Sequence, residues 1–99
     1  MSDLNSVIIE GEVARIEGEL TVAVSRTYKG ADGRPANEVA YFDVVADEYI
    51  EKFYNKTVAE LKRGDKVRIV GRLGYNKWYE HCRWYEKVFV VAEHLEVKR

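Results

Sequence analysis

The residues with the chemistry for catalysis or metal binding are few and poorly grouped. His81 and Cys82 are adjacent, beside Glu80, and His94 stands alone. Neighbouring side chains on an extended chain point in opposite directions, so the imidazole and the thiol would not meet as base and nucleophile. Two histidines and one cysteine at this spacing do not form a zinc site. We therefore predict no enzyme, no metal site and no cofactor.

A second group of functional side chains lies in residues 62–87, where cations and aromatic rings are interleaved. The segment has eight Lys or Arg and three Asp or Glu. Its aromatic residues are Tyr75, Trp78, Tyr79, Trp84 and Tyr85. Cations attract phosphates and flat rings stack on unpaired bases, which is the combination that single-stranded nucleic acid needs. The same residue types are common in small β-barrel cores and on solvated strand faces, so composition alone leaves both interpretations open.

Charge is distributed unevenly along the 99 residues. The net charge is −1, yet residues 1–61 carry six basic and twelve acidic side chains. The positive segment is therefore the one that holds the interleaved aromatic residues. A single cysteine, no secretory leader and no long apolar run predict one cytoplasmic domain over residues 1–99, without a disulfide or a membrane span.

Hydrophobic periodicity predicts five strands and one helix that would position these side chains. The predicted strands cover residues 7–16, 20–25, 38–46, 67–73 and 84–91, with loops at 29–35 and 76–83. Gly11 is predicted to mark a bulge or bend in the first strand. Residues 47–62 change to three- and four-residue spacing, which predicts an amphipathic helix with Asp47 as N-cap and Gly64 just after its end.

The order of three strands, one helix and two strands predicts an all-β OB-fold, a small five-stranded Greek-key barrel. An SH3-like barrel fits less well, because it has no such helix. Strand parity in the fourth strand predicts that Val67, Ile69 and Leu73 point into the barrel. Arg68 and Arg72 would then point outward together.

Residues Lys62–Leu73 resemble the bacterial single-stranded-DNA-binding protein family. The family pattern here is a basic residue, glycine and two variable residues, followed by alternating apolar residues that end in glycine-x-leucine. The next five residues keep the family spacing to a Lys-Trp pair. Asn5–Gly11, Tyr41–Val45 and Trp84–Val91 are similar to the family's first, third and fifth strands. The resemblance extends over almost the whole chain.

The resemblance implies which residues contact DNA. Family aromatics stack on bases at the end of strand two, within strand three and after strand four, positions that match Tyr28, Tyr41 and Trp78. Tyr28 shares strand parity with Val22 and Val24, so it would point outward only if the strand twists or bulges. The full predicted contact set adds four cations for phosphates and one further tyrosine: Trp78, Tyr28, Tyr41, Arg26, Arg68, Arg72, Lys77 and Tyr75.

The resemblance also implies partners. These are single-stranded DNA, bound without strong sequence preference in replication, recombination or repair, a second copy in a homodimer or homotetramer, and replication proteins. Family members usually continue into a flexible tail with an acidic tip, whereas this sequence ends at Lys98-Arg99, so a tail-less relative is expected. Two alternatives stay open: a primosomal accessory OB-fold protein, and an OB-fold protein-interaction module without nucleic-acid binding, which the acidic residues 1–61 favour.

Overall fold

Five strands close into a barrel in the computed structural model, which describes residues 3–98. The strands are β1 (Val7–Arg15), β2 (Leu20–Lys29), β3 (Pro35–Ala46), β4 (Lys66–Glu80) and β5 (Arg83–Lys98). They neighbour one another in the order β1-β2-β3-β5-β4, and β4 pairs back onto β1. A 3-10 turn (Glu48–Ile50) and the helix α1 (Glu51–Ala59) lie between β3 and β4. The predicted OB-fold, with one helix between the third and fourth strands, is confirmed.

Alternating side chains of the strands fill the barrel. The largest fully buried side chains are Val22, Val44, Val67, Ile69 and Val90. Branched aliphatic residues suit this position because they pack well on a pleated surface. Leu73 keeps the predicted inward parity, since it pairs with the buried Val90, yet its side chain is largely exposed. It lies at the rim of the barrel, beyond the last pair that β4 makes with β1, Val7 with Gly71.

The helical segment packs on the core through Tyr54. Its ring is buried, and its hydroxyl donates a hydrogen bond to the carbonyl of Val44 at 3.1 Å. Burial raises the pKa of Tyr54 to about 12. Asp47 serves as the predicted N-cap, because its carboxylate accepts a hydrogen bond from the Tyr49 N–H at 3.0 Å. The turn that it caps is the 3-10 helix, with α1 following.

The predicted end of the helix is wrong. α1 ends at Ala59, and Gly64, expected just after the helix, instead donates its N–H to the carbonyl of Val13 at 2.8 Å. After Ala59 the chain continues in tighter turns, in which the Glu60 N–H donates to the Thr57 carbonyl and the N–H of the buried Leu61 donates to the Val58 carbonyl. Within residues 3–98, no helix has the length and apolar character needed to span a membrane.

Gly11 permits a close approach of two strands and is not the bulge that the sequence suggested. The irregularity in the pairing of β1 with β2 lies between Val13 and Arg15. A Cβ at Gly11 would collide with the backbone oxygen of Ala23 on β2. Glycine is therefore needed because the two backbones are nearly in contact there.

β4 and β5 continue beyond the barrel as a two-stranded arm, residues 74–89. The predicted loop at 76–83 is wrong, because residues 76–80 pair in regular register with residues 83–87. A two-residue turn, His81 and Cys82, joins the strands with φ of 51° and 62°. Such turns usually carry Asn-Gly, so the sequence holds no turn signal here. Cross-strand aromatic pairs stabilise the ribbon instead.

The arm has two faces, since residues directly opposite one another share a side and successive residues alternate. The Trp78 face consists of Gly74, Asn76, Trp78, Glu80, Arg83, Tyr85, Lys87 and Phe89. The Trp84 face consists of Tyr75, Lys77, Tyr79, Trp84, Glu86 and Val88. The two tryptophans of the chain therefore lie on opposite sides of one ribbon.

Candidate nucleic-acid interface

The Trp78 face and the outer side of the barrel enclose a cleft. It is lined by Glu19, Val45, Asn76, Trp78, Lys87 and Phe89. Val45 belongs to β3, and Glu19 lies in the bend before β2. The barrel thus supplies one wall of the cleft and the arm supplies the other.

Trp78 is held by a ring stack within the arm. Its ring and that of Tyr85 are nearly parallel, at 17°, with centroids 5.7 Å apart. Each of the two side chains is 36% exposed. The Arg83 guanidinium lies 5.8 Å from the Tyr85 centroid and adds a cation to the end of the stack. A flat, partly covered ring with a cation nearby is a stacking platform for an unpaired base.

Tyr41 lies on the same side of the sheet as the cleft. It shares strand parity with Asp43 and Val45 on β3, and Val45 lines the cleft opposite Trp78. Tyr41 is 67% exposed, and its cross-strand partner on β2 is the small Ala23. Its ring is therefore open to a ligand that runs along the outer surface from the cleft.

Lys87 spans the cleft and is neutralised there by two carboxylates. Its Nζ lies 2.7 Å from Oδ2 of Asp43 and 3.1 Å from Oε2 of Glu19. The hydrogen bonds to Asp43 and Glu19 raise the pKa of Lys87. The Lys87 bond, aided by a 2.8 Å hydrogen bond from the Thr21 hydroxyl, lowers the pKa of Asp43. The charge of the cleft depends on this group of three ionised side chains.

Two predicted contact residues, Tyr75 and Lys77, lie on the Trp84 face. The Tyr75 hydroxyl donates a 2.6 Å hydrogen bond to Glu86, which raises the pKa of Tyr75. Lys77 Nζ lies 4.9 Å from the centroid of Trp84. The alternation of the arm places both residues on the side opposite Trp78.

Tyr28 and Arg26 lie on a second extension of the barrel, formed by the distal halves of β2 and β3. Their pairing is regular from Leu20 to Lys29, so Tyr28 stays on the side of the ribbon that Val22 occupies lower down. It is exposed because the strand has passed the core. The Arg26 guanidinium lies 4.9 Å from the Tyr28 centroid and 3.4 Å from Glu38. Tyr28 and Tyr41 therefore face opposite sides of this ribbon.

Arg68 and Arg72 are engaged in ion pairs on the barrel. Arg72 lies 2.6 Å from Asp47 and 3.2 Å from Glu93, and its hydrogen bond lowers the pKa of the Asp47 carboxyl. Arg68 lies 3.6 Å from Glu10. Carboxylates from outside residues 62–87 thus neutralise two of the arginines that make this segment positive.

His81 and Cys82 are exposed in the arm's terminal turn, where His81 contacts the Glu80 carboxylate at 3.3 Å. The assumption that these two residues lie on an extended chain is wrong, because they form a turn. Residues 3–98 contain no group of three or more His, Cys, Asp or Glu side chains that could hold a metal ion.

No family model matches this sequence, but a curated protein is similar to it. The sequence is 30% identical over 79 residues to the single-stranded DNA-binding protein of Aquifex aeolicus. The chain is a relative of the bacterial single-stranded DNA-binding proteins. The match covers 80% of this chain and 52% of the Aquifex protein, so it spans about half the length of that relative.

Solved structures of single-stranded DNA-binding proteins share the fold at low sequence identity. The Plasmodium falciparum protein, solved in complex with single-stranded DNA, has a TM-score of 0.82 and 14% identity, covering 100% of this chain and 98% of that chain. The small protein from Streptomyces coelicolor has a TM-score of 0.69 and 17% identity, covering 99% and 96%. The chain therefore has the same OB-fold as these two proteins.

The structure places only some of the eight predicted DNA-contact residues on the same side of the sheet. Trp78, Tyr41, Arg68 and Arg72 share the outer side of the sheet, but both arginines are held in ion pairs on the barrel. The other four predicted residues, Tyr75, Lys77, Arg26 and Tyr28, face the opposite side. Sequence reasoning missed Lys87 and Phe89, which line the cleft, and the stacking of Tyr85 on Trp78. Their strand alternation would have found them, but only if residues 76–83 had been read as a hairpin.

Proposed function

We propose that the chain binds single-stranded DNA without strong sequence preference, with bases stacked on Trp78 and Tyr41. The observation that carries this proposal is the Trp78–Tyr85 ring stack, half-exposed along a cleft that also contains the Lys87 ammonium. Aromatic stacking tolerates any base, and cations follow the backbone phosphates. The names of the Aquifex relative and of the Plasmodium complex support the same ligand.

The cations fall into two groups in this proposal. Lys87, Arg83 and Lys77 belong to the arm and lie close to its aromatic rings. The predicted phosphate contacts Arg26, Arg68 and Arg72 are paired with carboxylates, and so is Lys87, so a phosphate has to replace a carboxylate at each of the four. We expect Lys87 to contribute more of the affinity than the three arginines, because it lies in the cleft beside Trp78.

Roles in replication, recombination or repair, and assembly as a homodimer or homotetramer, are proposed from the same relationship. Ile8 is largely exposed on β1, and an exposed apolar side chain on this strand supports assembly. Light scattering measures the assembly directly, and a dimer would favour the primosomal accessory role.

A protein-interaction module is the second candidate. The Trp84 face favours it, because Tyr75, Tyr79, Trp84 and Val88 expose more than half of their surface without nearby barrel residues to cover them. Exposed aromatic patches of this kind mark interaction sites. In that case, oligonucleotides would not bind at all.

Tryptophan fluorescence titrated with oligo-dT tests the proposal against this alternative. We expect quenching that saturates at low salt, an affinity that falls as salt rises, and weaker binding of duplex DNA. Absence of quenching at low salt would reject single-stranded DNA binding, and equal affinity for duplex DNA would reject stacking of unpaired bases as its basis.

A further inference from the structure

The cleft holds more negative than positive charge at the position where a phosphate has to enter. Lys87 carries one positive charge, and Glu19 and Asp43 carry two negative charges within 3.1 Å of its Nζ. An ammonium has three donors, of which two are occupied here. A phosphate on the third would place three like charges around one cation, which is unfavourable. One carboxylate must therefore leave before Lys87 can bind a phosphate well.

The two carboxylates are held to different extents. Both oxygens of Asp43 are bonded, one to the Thr21 hydroxyl at 2.8 Å and the other to Lys87. Its side chain is 33% exposed. Asp43 therefore belongs to the rigid outer surface of β3, where it positions the ammonium.

Glu19 is held less firmly. It lies in the bend at residues 17–19, its side chain is 51% exposed, and its contact with Lys87 is a single bond through Oε2. A long exposed side chain in a bend can rotate into solvent at small cost, since exposed ion pairs contribute little. Of the two carboxylates, Glu19 is the one that a ligand can displace.

We propose that Glu19 is an internal competitor for nucleic-acid phosphate, whose carboxylate occupies the place on Lys87 that a backbone phosphate takes in the complex. This inference rests on the proposed function. Binding becomes an exchange of carboxylate for phosphate, so Lys87 gains little net neutralisation. Glu19 thereby lowers the affinity for a single strand and makes its salt dependence shallower.

The test is the variant Glu19→Gln, titrated with oligo-dT over a series of salt concentrations. We expect affinity to rise about two- to fivefold, the range of an exposed ion pair. The slope of log K against log salt should steepen by up to about 0.7, the value for one additional phosphate contact on a single strand.

Glu17→Gln is the matched control. Glu17 lies in the same bend, and within residues 3–98 its side chain makes no ion pair. Both variants remove one negative charge from the bend, so equal effects would overturn the competitor role and leave only a general charge effect. No change in Glu19→Gln would overturn it as well.

Lys87→Ala completes the design as a double-mutant cycle. In that background, Glu19→Gln should have no more effect than Glu17→Gln, because the contact is gone. A persistent advantage of Glu19→Gln would contradict the proposal. If the unmodified protein fails to bind oligo-dT, the proposed function itself fails; if it binds but the cycle shows no coupling, only the role of Glu19 fails.

Discussion

The two faces of the β4–β5 arm have nearly the same composition but different surroundings. Each carries one tryptophan, at least one tyrosine and one lysine. Trp78 is 36% exposed and stacks parallel to Tyr85, beside a barrel wall. Trp84 is 66% exposed, with Tyr79 tilted at 59° and Lys77 over its ring. We therefore expect the Trp78 face, which has a barrel wall beside it, to be the one that binds a single strand.

The largest expected effect separates the two tryptophans. Trp78→Ala should weaken oligo-dT binding by about 1–3 kcal/mol, the usual contribution of one base–aromatic stack. Trp84→Ala should change the affinity by less than about twofold, because Trp84 faces away from the cleft. Fluorescence anisotropy of a labelled oligonucleotide measures both variants without relying on tryptophan signal.

The opposite ranking of these two variants would break the comparison. A loss in Trp84→Ala as large as in Trp78→Ala would mean that the strand contacts both faces of the arm. Circular dichroism of each variant controls for folding.

The second prediction compares two tyrosines of the β2–β3 ribbon. Tyr41→Ala should cost about 1 kcal/mol of binding, at the lower end for a stack on an exposed ring. Tyr28→Ala should cost less, because Tyr28 points to the opposite side and Arg26 covers one face of its ring. Equal losses, measured by the same anisotropy titration, would show that the strand wraps around the ribbon edge.

The third prediction compares the lysines of the two faces. Lys87→Ala should lower affinity about three- to tenfold, because it removes a cation and leaves two carboxylates facing the phosphates. Lys77→Ala should have a smaller effect, because its ammonium lies over Trp84 on the other side. A larger loss for Lys77→Ala would place the phosphate path on the Trp84 face.

The barrel could be predicted from the sequence, whereas the cleft could not. Alternating apolar residues such as Val67 and Ile69 determine strands and parity locally. The arm was missed because its turn, His81 and Cys82, lacks the glycine or asparagine that usually marks a hairpin. With residues 76–83 read as a loop, the pairing of Trp78 with Tyr85 had no basis.

The ion pairs were missed for a different reason. The partners of Arg72, Asp47 and Glu93, are 25 and 21 residues away in sequence and come from two other elements. No local pattern indicates such a contact, because it depends on the closure of the barrel. Fewer cations of residues 62–87 are free to bind phosphate than the net charge of this segment suggests.

The smallest expected effect concerns the electrostatic link between the Trp78 face and the barrel, which the Trp84 face lacks. Because the bond to Lys87 lowers the pKa of Asp43 below its ordinary 3.8, the link stabilises the folded state above that pH. This contribution is lost as pH falls through the lower folded-state pKa. Asp43→Asn should therefore be less stable than the unmodified protein at neutral pH, by no more than about 1 kcal/mol for a partly exposed pair. Urea unfolding at decreasing pH should show the two stabilities converging, and a constant difference would mean that the effect of the substitution does not come from the ion pair with Lys87.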